Sequence, residues 1–249
     1  MSEQRDKNLW IFNAGNSFAG NPKWMFEYII RHHKEIKPVW MCYNADTMNY
    51  VHKLGYEAEL YHSSKGKSVM AKAGVYVVEM CKEVFQPELS GITVLNLWHG
   101  VGCKSIERKV TDGFLQERIA KKYIQNNDIL RNNQLFLVTS EIMEKHFKEQ
   151  CGIDDDKVIR AGYPRCVVND NIQSYDHDIR KKKGLSANTK LAIYCPTYRD
   201  NNGANFMKSA LPDMKRLAEV LHENNILLIL KMHPLVEKDT QYLAMKEVY

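Results

Sequence analysis

Short apolar runs alternate along the chain with amphipathic segments, which is the pattern of an α/β fold. Leu9–Phe12 is the first predicted strand, followed by a Gly/Asn-rich loop from Asn13 to Gly20. Asn21-Pro22 then predicts a helix start, with Asn21 as N-cap and Pro22 at the first helical position, where proline's missing N–H costs nothing. Trp24, Phe26, Ile29 and Ile30 supply that helix's apolar face. Val39–Cys42 predicts a second strand, with a helix from about Thr47 to Leu54 behind it. Further strands are expected at Val75–Val78, Thr93–Leu97, Leu135–Val138 and Lys157–Arg160, with a helix from about Glu141 to Gln150 joining the last two. Ile106 to Leu130 reads as a helical region with Ile106, Val110, Phe114, Ile119, Tyr123 and Ile124 roughly on one face. Its basic residues Arg108, Lys109, Arg118, Lys121 and Lys122 fall largely off that face.

These elements predict a doubly wound first domain over residues 1–165. After it, Asn171 to Lys190 is polar and charge-rich, as a linker with a short helix would be. Leu191–Cys195 and Ile226–Leu230 are strands separated by a helix from about Lys208 to Asn224. They open a second Rossmann-like domain over residues 166–249, read as incomplete because two strands do not close a sheet. Thr240 to Tyr249 has helical character, so the chain is expected to be truncated within a helix.

Composition narrows the class without changing this layout. The 249 residues are 44% hydrophobic and 26% charged, ordinary for a core-forming protein. The net charge of +5 suits an anionic ligand or surface and is too small to point to nucleic acid. The six cysteines, Cys42, Cys81, Cys103, Cys151, Cys166 and Cys195, form no C-x-x-C pair, which favours reduced thiols in a cytoplasmic protein. The opening MSEQRDKNLW has no apolar run after its charges, so no secretory signal is expected. No stretch reaches the ~20 apolar residues that cross a bilayer, which leaves peripheral membrane contact.

Candidate chemistry gathers at strand ends. Leu95-Asn96-Leu97-Trp98-His99-Gly100 runs from a strand into a Gly-rich turn, and open α/β sheets bind ligands beyond the carboxyl ends of their strands. Gly100 and Gly102 would let the backbone approach a ligand, and Lys104 adds positive charge beside it. The plainer reading of His99 is a satisfied histidine at a strand end. GVGCKS is not a P-loop, since Cys103 stands where glycine is required before the lysine. Lys231-Met232-His233-Pro234 repeats the arrangement in the second domain. A histidine in each domain suits proton transfer near neutral pH and hydrogen bonding to phosphate. Cys195-Pro196-Thr197-Tyr198-Arg199-Asp200 also follows a strand, and Arg199 can grip phosphate or pair with Asp200. Gly162-Tyr163-Pro164-Arg165 reads first as a structural turn at the domain junction. The basic residues of 106–130 could hold a polyanion or touch anionic lipid, although a solvated helix face explains them as well. No zinc, nucleophile-elbow or kinase motif is present, and His32-His33 lacks metal-ligand spacing.

In this order, the W-H-G, G-Y-P-R, C-P-T-Y-R-D and K-x-H-P segments resemble those of the CDP-glycerol:poly(glycerophosphate) glycerophosphotransferase family, which includes teichoic acid and capsule polymer enzymes. The resemblance spans nearly the whole chain, including the opening strand, loop and KWMFEYI segment. It implies a GT-B-like fold of two Rossmann-like domains facing a cleft, with no cofactor and no metal. It also implies the reaction: the terminal hydroxyl of a polyanionic phospho-alditol polymer attacks the alditol-bearing phosphorus of a CDP-glycerol or CDP-ribitol donor, and CMP leaves. By carry-over His99 is the general base, His233 stabilises the donor phosphates, and Arg199 and Lys231 are further donor contacts. Gly100, Lys104 and Arg165 are the remaining expected substrate-binding positions. An anionic membrane surface at the inner face of the cell membrane is a further expected partner.

Two departures stand out. Val101 replaces the family's usual threonine, and the T-D-Y-S-S-like segment that follows K-x-H-P in the family is missing, so this chain alone is expected to bind donor poorly. Two other readings fit the same residues: a GT-B nucleotide-sugar glycosyltransferase, and a non-catalytic polymer-binding fragment.

Overall fold

Strand β1 (Asp6–Asn13) buries Ile11 and Phe12 completely, one on each face, as a strand inside a parallel sheet covered on both sides must. That placement organises the first unit. The computed structural model describes residues 4–80, 86–102, 105–112, 114–125, 133–166, 179–196 and 205–232. The chain divides into two units, Met1–Asp170 and Asn171–Tyr249.

In the first unit β1 is followed by α1 (Gly20–His32), β2 (Lys37–Cys42), α2 (Ala45–Lys53), β3 (Ala58–Leu60), α3 (Ser64–Lys72) and β4 (Ala73–Val78). Then come β5 (Thr93–Asn96), α4 (Phe114–Gln125), β6 (Gln134–Val138), α5 (Glu141–Cys151) and β7 (Val158–Arg160). The strands form one parallel sheet in the order β3-β2-β1-β4-β5-β6-β7. One face packs Phe12, Trp40, Val77 and Leu95 against Phe26 and Ile29 of α1 and Val51 of α2. The other packs Ile11, Met41, Tyr76, Val78 and Val94 against Met70 of α3. A third cluster joins Trp98 to Phe136 and Val138 of β6 and to Phe147 and Cys151 of α5.

Helix starts are set locally. Asn44, Ser63 and Ser140 accept hydrogen bonds from the N–H groups of Thr47, Gly66 and Met143, capping α2, α3 and α5. Such a cap is worth about 1 kcal/mol. α1 departs from expectation. Its N-cap is Ala19, with no side-chain hydrogen bond, and Pro22 is the third residue of the helix. Asn21 is wholly buried and spends its side chain elsewhere.

The span from Ile106 to Leu130 is not one helix. Glu107–Lys109 forms a short 3-10 turn with Glu107 at φ 49°, and α4 begins only at Phe114. Thr111-Asp112-Gly113 explains the break, since these residues favour turns and caps over helix interiors. The expected faces shift accordingly. Lys122 is buried and ion-paired to Glu107 at 2.8 Å, while Ile124 is exposed. Residues 126–130 of the expected helix lie outside the described residues.

The second unit contains α6 (Ile179–Lys183), β8 (Lys190–Tyr194), α7 (Asn205–Ala210), α8 (Met214–Glu223) and β9 (Ile226–Leu230), with β8 and β9 paired in parallel. The single helix expected from Lys208 to Asn224 is instead two, α7 and α8. Pro212 removes a donor and disfavours helical backbone at Leu211, and Asp213 then caps α8 by accepting from the Arg216 N–H at 2.8 Å. The helix expected from Thr240 to Tyr249 lies outside the described residues.

Candidate active site

The sheet order reverses direction between β1 and β4. At such a point the loops leaving the two strands part, and a crevice opens beyond their carboxyl ends. The first turn of α1, Glu79 after β4, the Trp98–Gly100 segment after β5 and the Tyr163–Arg165 turn after β7 meet there.

Asn96, buried at the end of β5, starts the histidine segment. Its side-chain oxygen accepts from the Trp98 N–H at 2.9 Å, and its amide donates to Gln134 Oε1 at 3.0 Å. Trp98 adopts φ 52°, a conformation uncommon for a bulky residue. Its indole is wedged against Phe136 and Phe147, with ring centroids 5.6 and 5.3 Å away. The His99 imidazole stacks on that indole at 4.5 Å between centroids. Beyond it, the Tyr163 hydroxyl donates to the Gly100 carbonyl at 2.8 Å. The Arg165 guanidinium lies over the Tyr163 ring at 5.5 Å, and its Nη2 would stand 3.5 Å from a Cβ at Gly100.

Charge follows from this packing. His99 is exposed on one side, yet protein crowds its ring. That partial desolvation, followed by the positive charge of Arg165, lowers its pKa, while Glu107 acts in the opposite direction. Glu79 accepts from the Asn21 N–H at 3.2 Å. Desolvation raises its pKa, against the opposing pull of that hydrogen bond and of Arg165. A Cβ at Gly20 would collide with the Glu79 carboxylate, so the glycine is what admits the acid to the start of α1. Burial likewise raises the Tyr163 pKa. The site therefore holds a neutral imidazole near pH 7, a guanidinium and a partly buried carboxyl.

Of the residues expected from sequence, the structure brings together His99, Gly100 and Arg165. Lys231 follows β9 in the second unit, where its backbone N–H donates to the Tyr194 carbonyl at 3.0 Å. Lys104, Arg199 and His233 lie outside the described residues. At Gly102 a Cβ would collide with the His146 imidazole, and the Gly102 N–H donates to Met143 Sδ at 3.3 Å, so this glycine packs closely against α5. Sequence reading gave Asn21 only a helix-capping role and left out Glu79 and Glu107. Only Glu79 carried a signal, as an acid directly following the apolar strand residues Val75–Val78.

Sheet order and site together define a Rossmann-like α/β protein that presents an imidazole and a guanidinium at the carboxyl ends of its strands. More particularly, the chain belongs to the CDP-Glycerol:Poly(glycerophosphate) glycerophosphotransferase family, whose model matches residues 1–248. Teichoic acid poly(glycerol phosphate) polymerase of Bacillus subtilis strain 168 is 25% identical over 242 residues, covering 90% of this chain and 31% of that protein. Teichoic acid ribitol-phosphate polymerase TarK of Staphylococcus aureus is 28% identical over 151 residues, covering 58% and 28%. A solved structure of the wall teichoic acid polymerase TagF superposes with a TM-score of 0.69 at 19% identity, covering 94% of this chain and 58% of that one. At that identity the likeness speaks for the fold. The chain thus spans about a third of the first relative's length.

Proposed function

We propose that the protein transfers a phospho-alditol from a CDP-alditol to the terminal hydroxyl of a teichoic-acid-like or capsular polymer. The single observation that carries this reading beyond family membership is His99. Its imidazole is stacked, partly desolvated and kept neutral beside Arg165 at the carboxyl edge of the sheet. A neutral imidazole accepts the proton of the acceptor hydroxyl as that oxygen bonds to the alditol-bearing phosphorus. The bond from that phosphorus to the bridging oxygen breaks, and CMP departs with the electron pair. Phosphoryl transfer depends mainly on positioning and on cationic stabilisation of the phosphate oxygens. Among the described residues of the first unit, Arg165 is a cation placed for that task. His233, Arg199, Lys231 and Lys104 are the proposed further contacts to the phosphates.

The relatives' names include both glycerol phosphate and ribitol phosphate polymerases, so both donors belong in the test. Among the described residues no helix is long and apolar enough to cross a membrane. The proposed location is cytoplasmic, peripheral at the inner face of the membrane, supported by the exposed Arg108, Lys109 and Lys121. The experiment is nucleotide release with a phospho-alditol acceptor. Acceptor-dependent CMP from CDP-glycerol or CDP-ribitol is expected. UDP release from a nucleotide sugar, with none from either CDP-alditol, would replace this reading with glycosyl transfer.

A further inference from the structure

Trp98, the residue before His99, is held at both of its peptide groups by buried asparagine side chains. Asn96 Oδ1 accepts from its N–H at 2.9 Å, and Asn21 Nδ2 donates to its C=O at 2.8 Å. The other end of the Asn21 amide accepts from the Arg165 N–H at 3.3 Å, and the Asn21 backbone N–H is taken by Glu79 at 3.2 Å. One wholly buried residue therefore ties together the start of α1, the histidine segment and the arginine turn. Helix capping does not account for it, because Ala19 occupies the N-cap of α1.

We infer that Asn21 is a positioning residue for His99, a role that rests on the reaction proposed above. Left-handed backbone at a tryptophan is unfavourable and persists only where its surroundings impose it. The Asn21–Trp98 bond supplies part of that imposition. It fixes the direction in which the chain leaves Trp98, and hence where the His99 ring stacks. Through its second bond Asn21 fixes the backbone of Arg165, whose charge adds to desolvation in lowering the His99 pKa. Losing the donor would leave the Trp98 carbonyl buried without this partner, and the segment would relax toward another backbone conformation. Displacement of about 1 Å at a reacting group can cost about 100-fold in rate.

The test compares Asn21→Asp and Asn21→Ser with Ser63→Ala, which removes the α3 cap far along the chain from this site. While ionised, Asn21→Asp keeps an acceptor for Arg165 but lacks the donor to Trp98, and because its charge by itself raises the His99 pKa the titration is judged on Asn21→Ser. Asn21→Ser is the smaller, uncharged alternative should the aspartate variant fold poorly. CMP release and NMR titration of the His99 ring are measured for each at a temperature where it is folded. The expected result is a kcat lowered about 100-fold with donor KM unchanged. The His99 pKa should rise toward the ordinary histidine value as the ring swings into water. Ser63→Ala should lower the melting temperature while leaving kcat and the His99 titration as in the wild type. Asn21 variants that behave like Ser63→Ala on both readouts would overturn the inference. So would a wild-type His99 that titrates at the ordinary value, which needs no variant to fold. Absence of CMP release from the wild type would overturn the proposed reaction instead, and the titration would still decide whether Asn21 holds His99 in place.

Discussion

At the scale of single residues, the behaviour of His99 is set by what surrounds its ring. Desolvation and the Arg165 charge disfavour the imidazolium, and Glu107 favours it. If His99 is the base, the acid limb of kcat/KM reports its pKa in the free enzyme and lies below the ordinary histidine value. Arg165→Met removes a positive neighbour, so the imidazolium becomes easier to form and the limb should move to higher pH, with kcat also falling. Glu107→Gln removes a negative neighbour, and the limb should move to lower pH. A pH–rate series on the two variants checks both signs. Limbs that stay put, or shift in the reverse directions, would separate His99 from the proton transfer. The same positions show what sequence can and cannot reveal. The place of His99 at a strand end was legible because the predicted strand Thr93–Leu97 stops just before it, although a satisfied histidine there fitted the sequence equally well. Asn21 was legible only as a helix cap, because a side chain bonded to residues 77 and 144 positions away leaves no local trace.

At the scale of elements, strands largely buried on both faces were read closely, since apolar runs such as Val75–Val78 and Leu135–Val138 leave little choice. β3 and α3 were missed. A three-residue strand gives no periodicity, and Ser64, Gly66 and Ser68 weaken the helical pattern of α3. The helices drawn too long failed where Gly113 or Pro212 interrupts a run of otherwise suitable residues. One further element-level feature is testable. Where β4 begins beside β1, a Cβ at Gly74 would stand 2.6 Å from the Asp6 carbonyl oxygen and 2.9 Å from Lys7 Cα. Both are backbone atoms, and the β1–β4 register shifts just beyond them, between Asp6 and Trp10. Gly74→Ala should therefore destabilise the protein by about 1–3 kcal/mol. Chemical denaturation is expected to show a lower midpoint at unchanged slope. A midpoint equal to the wild type would show that the strand start yields freely.

At the scale of the whole molecule, the two units differ in how much sheet they build. The first has seven paired strands with clusters on both faces, whereas the described part of the second has one pair, β8–β9, whose residues are mostly half-buried. Hydrogen exchange should accordingly be slowest at Phe12 and Val77 in β1 and β4, and faster at Ile193 and Leu228 in β8 and β9. Equal protection in both units would contradict this ordering. The central claim, that the imidazole at the carboxyl edge of the first unit drives phospho-alditol transfer, has a more direct test. Acceptor-dependent CMP release from CDP-glycerol and CDP-ribitol should be measured side by side for the wild type and a folded His99→Ala variant. The account predicts release from at least one donor by the wild type and a fall of roughly 100-fold or more in the variant, with the melting temperature preserved. Release at the wild-type rate by His99→Ala would contradict it.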